Sequence, residues 1–318
     1  MYNKLFKRSF INDNLQVKND FVKKEIMNSR GEKIVLHESG ALEIIPDELT
    51  EETYHLLITC ACYSSNKDCS HLIFLDTLID DIVSGFQYTS IHCLFIFGEK
   101  NDNLQDSRLF NDALKQAICT FWQDATHRFH LDVTPSYRSS IYQTVAYSPK
   151  VRGAVRSRRL FEFLELSHID AVVLHNAPTT TLSWFIANTY ETDSVQIELP
   201  TSDLSCPRHY LGFELTIRDF LAQEKNEHIS KPAKYFCVTR TIVKQSHEFK
   251  FLFDEHIANF SRFKHGEVFG IDGDKPLMAK NDGEAILYPN SHVAVGDVSA
   301  LMVYDVLPRF ENDQLIYD

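Results

Sequence analysis

The feature that most constrains this chain is an alternation of continuous apolar runs with helically spaced ones. Tyr54-His-Leu-Leu-Ile-Thr-Cys-Ala-Cys62 is nearly unbroken in its apolar character, as suits a strand covered on both faces. Leu72, Leu75, Leu78, Ile79 and Ile82 then recur at helical spacing, and Ile91-His-Cys-Leu-Phe-Ile-Phe97 is a second buried-strand run. Strand, helix and strand in that order predict a parallel pair with a right-handed crossover. The alternation continues with a helix over 111–124, a strand at 129–133, a helix over 156–166 and a strand at 171–174. A helix over 182–190, a strand at 194–199 and a helix over 212–223 follow. The expected architecture over residues 51–230 is α/β, with a mixed or mainly parallel sheet flanked by helices.

Two further segments flank this unit. Residues 1–50 read as a β-rich segment packing on the main domain, with runs at Lys33–His37 and Ala41–Ile45 parted by the turn Ser39-Gly40. A polar stretch from Gln223 to Lys234, interrupted by Pro232, marks a boundary. Beyond it, 235–308 reads as a smaller all-β domain, with runs at 235–243, 249–253, 268–271, 285–288 and 299–304.

The bulk properties exclude several classes. The formal net charge is −12, and the densest basic run, Arg152 to Arg159, is too short for a broad phosphate-binding face, so nucleic acid is not an expected partner. No stretch of about 18 apolar residues predicts a membrane span. Met1 to Asp20 shows neither an apolar signal core nor a small-residue cleavage site. Seven cysteines, an odd number in a chain of 318 residues, read as reduced thiols, which makes the cytoplasm the default location.

Ligands of α/β sheets gather at the carboxyl ends of strands, which singles out three places. They are Tyr63 to His71, His130-Leu-Asp-Val-Thr134 with Arg138 beyond it, and Gln196-Ile-Glu-Leu-Pro200. Taken singly, each has a plain reading. A carboxylate at a strand end is usually solvated or ion-paired, and His130 reads as a satisfied, half-buried histidine.

Together, five segments in order carry a resemblance: Gly40-Ala-Leu-Glu-Ile-Ile-Pro46, Phe129-His-Leu-Asp-Val133, Ala171-Val-Val-Leu-His175, Val195-Gln-Ile-Glu-Leu199 and Gly283-Glu-Ala-Ile-Leu-Tyr-Pro-Asn290 with Val295-Gly296. The chain resembles the succinylglutamate desuccinylase and aspartoacylase family, and most closely its bacterial desuccinylase branch. The resemblance implies a zinc-carboxypeptidase-like fold. It also implies a zinc held by a His and a Glu of a His-Gly-Asn-Glu loop and by a later His, with a separate Glu as general base. Three protein ligands leave one position for a water whose pKa the zinc lowers towards about 7.

Carried over by residue, the general base falls on Glu198 and the later zinc histidine on Thr134. The loop admits two registers. Aligned on the preceding strand, Tyr63 and Asn66 stand at the His and Glu positions; aligned on the following helix, Ser65 and Asp68 do. Neither register supplies a histidine. A zinc site worth roughly 10–16 kcal/mol loses on the order of 3–4 kcal/mol per missing ligand, so two losses weaken binding by roughly five powers of ten. Cys60, Cys62, Cys69 and His71 lie near the loop but lack a standard zinc spacing. The family's Asn-Arg pair falls on Ser107-Arg108, and Arg138 matches an arginine of the desuccinylase branch. Both are expected substrate-binding residues, since a guanidinium fork pairs well with a carboxylate.

The resemblance therefore implies a desuccinylase-like protein that has lost zinc and hydrolysis and binds an acidic acyl-amino acid. One alternative is an active zinc-dependent amidohydrolase of arginine catabolism, converting N-succinylglutamate to succinate and glutamate. The other is a structural or interaction protein.

Overall fold

The structure, a computed structural model, describes residues 22–63, 73–100, 112–136, 138–152, 156–200, 211–224, 231–254 and 256–317. Among these residues no helix is long and apolar enough to cross a membrane. Three antiparallel strands come first: β1 (Lys24–Met27), β2 (Lys33–Leu36) and β3 (Leu42–Ile45). Gly40, at φ +83°, makes the turn between β2 and β3 that an L side chain would strain.

The centre is built from β4 (Tyr54–Tyr63), α1 (Ile73–Ser84), β5 (His92–Lys100), α2 (Asp112–Phe121) and β6 (His127–Ser136). Next come β7 (Val145–Ser148), α3 (Arg158–Leu166), β8 (Ala171–Leu174), α4 (Leu182–Tyr190), β9 (Asp193–Pro200) and α5 (Leu211–Ala222). Strands β4 and β5 pair in parallel, as the strand–helix–strand pattern predicts, and β4–β6 and β6–β9 are parallel as well. Strand β7 runs antiparallel to β9 and parallel to β8. The chain thus reverses direction across the sheet at the β9–β7 junction.

Both faces of this sheet are covered, which is why its strands are apolar almost throughout. Leu56, Ile58, Leu131, Val133, Val195 and Ile197 face one way, against Leu75, Leu78 and Ile82 of α1, Phe163 of α3 and Phe213 of α5. Leu57, Leu94 and Ile96 face the other, against Ile118, Phe121 and Trp122 with Ile186 of α4. Helices α3 and α4 start on side-chain caps. Ser157 accepts from the Leu160 N–H at 3.3 Å and Thr181 from the Trp184 N–H at 3.3 Å, each worth about 1 kcal/mol.

The remaining strands are β10 (Lys234–Val243), β11 (Lys250–Phe251), β12 (Ser261–Phe263), β13 (Val268–Asp272), β14 (Lys275–Met278), β15 (Glu284–Leu287), β16 (Val298–Val306), β17 (Pro308–Glu311) and β18 (Gln314–Tyr317). Strand β10 joins β8 in parallel and carries the sheet on through β16, β15 and β12, to thirteen strands in all. A three-stranded sheet, β11-β13-β14, and the hairpin β17–β18 complete the described strands. A second core of Phe249, Phe263, Phe269 and Met302 fills this carboxy-terminal part.

Candidate functional site: a carboxylate held by two tyrosines

Glu198 and Thr134 are direct register partners on β9 and β6, near the carboxyl ends of both strands. The pattern that gives β9 its buried face (Val195, Ile197, Leu199) leaves Gln196 and Glu198 on the other, half-buried side. Glu198 Oε1 accepts a hydrogen bond from Tyr288 Oη at 2.6 Å. Its Oε2 lies 3.5 Å from Tyr147 Oη, and the two phenols also contact each other. Burial pushes both phenols well above their usual pKa, and the Glu198 carboxylate adds to the shift. They therefore stay protonated and act as donors.

Tyr288 follows β15 in a left-handed backbone conformation, φ +53°. Its N–H donates to Asn259 Oδ1 at 2.8 Å, which holds that turn. The next residue, Pro289, accepts from Arg138 Nη1 at 2.7 Å. One dipeptide of the carboxy-terminal part therefore anchors both Glu198 and Arg138. Arg138 is exposed, and its other guanidinium donors take no acceptor among the described residues.

Thr134 is buried, and its hydroxyl is engaged in both directions. It donates to the Ile197 carbonyl at 3.4 Å and accepts from Gln196 Nε2 at 3.2 Å. The Tyr63 backbone ends β4 beside Lys100 of β5. Ser65, Asn66, Asp68, Cys69, His71 and Arg108 lie outside the described residues. Among the described residues, no three His, Cys, Asp or Glu side chains are grouped to hold a metal ion. A neutral hydroxyl such as that of Thr134 is a poor zinc donor. Cys60 is no better suited. Burial, and then the charge of Asp132, push its thiol pKa well above the ordinary value, which disfavours the thiolate that binds metal.

His130 is a core residue, as its plain reading holds, and is buried completely rather than by half. Ser194 donates its hydroxyl to the Ser183 carbonyl at 2.9 Å, so His130 Nδ1–H donates to Ser194 Oγ at 2.7 Å. The Thr59 hydroxyl lies 2.9 Å from both His130 Nε2 and Asp132 Oδ1. Burial holds the imidazole pKa down at about 3, so it is neutral.

Full-length comparison decides the family. The chain is 41% identical, over the whole of both sequences, to the succinylglutamate desuccinylase of Vibrio campbellii. It belongs to the succinylglutamate desuccinylase family. Crystal structures of desuccinylases from Vibrio parahaemolyticus and Vibrio cholerae superpose with a TM-score of 0.89 each. They are 39% and 38% identical, with 99% of this chain covered and 100% and 99% of theirs. The AstE/AspA barrel-sandwich hybrid domain matches residues 231–306, which hold the Tyr288-Pro289 anchor of this desuccinylase-family cleft.

Sequence reasoning missed Tyr147 and Tyr288. The first lies on β7, Val145-Ala-Tyr-Ser148, a short run that ends in a serine and carries no sharp strand signal. The second lies within a quoted segment of the resemblance, Ala285-Ile-Leu-Tyr288, yet nothing local says that its hydroxyl crosses to β9.

Proposed function

We propose that this protein recognises an N-acyl amino acid of the succinylglutamate type and holds it without zinc-dependent hydrolysis. The observation that carries the reading is Thr134 beside a Glu198 whose carboxylate already accepts from Tyr288. A general base must be available to a water, and both oxygens of Glu198 already face phenolic donors. The same carboxylate suits the N–H of an acylated amine. Arg138 uses one donor on Pro289 among the described residues, and its others suit a ligand carboxylate. Arg108 completes the proposed pair of cationic contacts.

The experiment combines metal analysis of the purified chain with an N-succinylglutamate hydrolysis assay and a thermal-shift titration. Substoichiometric zinc, no turnover and stabilisation by succinylglutamate are the expected results. Loss of the shift in Arg108→Ala and Arg138→Ala would locate the ligand in this cleft. An absent shift in the parent protein would favour a structural or interaction role.

A second reading is a working zinc-dependent succinylglutamate desuccinylase. The specific observation in its favour is the 41% identity to the Vibrio campbellii desuccinylase across the full length of both chains. Near-stoichiometric zinc together with release of succinate and glutamate would establish it and overturn the first.

A further inference from the structure

A cavity of about 270 Å³ opens at the other end of β4, β6 and β9, where their amino ends meet the start of α3. It is lined by Tyr54, Arg128, Arg156, Ser157, Arg159 and Asp193, among others. Asp193 and Glu198 are five residues apart on β9, so this cavity sits roughly 17 Å from the Glu198 carboxylate along the strand.

The arginines differ in how they are used. Arg128 is spent on the carbonyls of Ala125, Tyr190 and Trp122. Arg156 is spent on those of Ser148, Pro149 and His175. Both are fixed cations that raise the potential of the cavity with most of their donors already engaged. Among the described residues Arg159 is held by stacking. Its guanidinium carbon is 3.5 Å from the Tyr54 ring centroid and 5.1 Å from that of Phe220. Such stacking fixes the plane of the guanidinium but satisfies none of its N–H groups, which point outward in that plane. Arg159 has no hydrogen-bond acceptor among the described residues.

The carboxylate nearest in charge terms is already engaged. Asp193 Oδ2 accepts from Ser157 Oγ at 2.6 Å, and burial pushes the Asp193 carboxyl pKa up, which reduces its competition for Arg159. Burial also lowers the Arg159 pKa, a cost that an anionic partner relieves.

We propose that this cavity is a second ligand site, which binds a small oxyanion, a carboxylate or a phosphate, on the Arg159 fork. A planar guanidinium with free parallel donors is matched by two oxygens on one carbon or phosphorus. The proposal is independent of what the Glu198 cleft does.

The test is calorimetric titration of the full chain with inorganic phosphate and, separately, with succinate. Saturable binding of at least one is expected, and the stronger of the two assigns the ligand chemistry. Arg159→Gln should weaken it by about tenfold or more. Thr126→Glu, which sets a negative charge at the exposed rim and leaves the Arg159 stack intact, should do the same. Should Arg159→Gln fail to fold by circular dichroism, Thr126→Glu alone decides. Absence of binding up to ~10 mM of either anion, far weaker than a specific site requires, overturns the proposal. So does binding that survives both Arg159→Gln and Thr126→Glu.

Discussion

Thr134 and Glu198 face each other across the parallel pair β6–β9, one hydroxyl and one carboxylate where the family resemblance implies a zinc ligand and a general base. The relationship rests on eight consecutive register pairs, Phe129 with Asp193 through Ser136 with Pro200, so neither residue can shift without the other. Both β6 and β9 are central in the sheet, which makes this one of the most rigidly placed pairs in the fold.

Placing an imidazole at this position tests how much of a metal site one residue restores. Thr134→His is expected to raise zinc uptake, read by elemental analysis, while leaving succinylglutamate hydrolysis undetectable. Because Thr134 is 3% exposed, the larger side chain should also destabilise the fold by about 1–3 kcal/mol in urea unfolding. Turnover in this single variant would show that the remaining machinery is intact.

Tyr288→Phe removes the 2.6 Å donor to Glu198 and the contact with the Tyr147 hydroxyl. A hydrogen bond to a charged group contributes about 1.5–3 kcal/mol, and urea unfolding should show a loss in that range.

A second ion pair supports the carboxy-terminal part. Glu284, buried on β15, takes Arg240 Nε at 3.1 Å and Nη2 at 2.9 Å, with the Lys280 N–H at 2.8 Å. Burial alone would raise its pKa, yet the Arg240 contacts bring the net shift below the ordinary value. Arg240→Ala strands that carboxylate and should cost about 3–5 kcal/mol, measured by denaturant unfolding. Arg240→Ala with Glu284→Gln should recover part of the loss, since the stranded charge is gone.

Stability should fall with acid from below pH 6.5, earlier than carboxylate titration alone predicts. Burial lowers the pKa of His130 to about 3, and burial with neighbouring cations lowers those of His55 and His175 to about 4. An unfolded histidine titrates near 6.5, so between these values the unfolded state binds more protons and stability rises with pH. The contribution is complete above about 6.5 and is lost as pH falls towards 3–4. For His130 alone, unfolding at pH 5.0 against pH 7.5 should differ by about 2 kcal/mol. A pH-independent unfolding free energy across that window would refute neutral burial of these imidazoles. Glu43, between His37 and His92, has its carboxyl held at about 2 by their hydrogen bonds despite burial. Its contribution is present above about 4.5 and fades only below that.

What the sequence determined by itself is the set of elements whose signals are local. Strands at 171–174 and helices at 182–190 coincide with β8 and α4 because periodicity is written into neighbouring residues. Tertiary structure alone decided what surrounds Glu198. Tyr147 lies 51 residues before it and Tyr288 lies 90 after, on strands that only the thirteen-stranded sheet brings to one carboxylate. The same holds for Arg159, at the end of the basic run Arg152 to Arg159, on which Tyr54 and Phe220 stack from distant parts of the chain. Hydrophobic periodicity specifies which face of an element is buried. It carries no information about which distant polar group will meet a given side chain, because that depends on sheet order and register, which the chain settles only when the whole core closes.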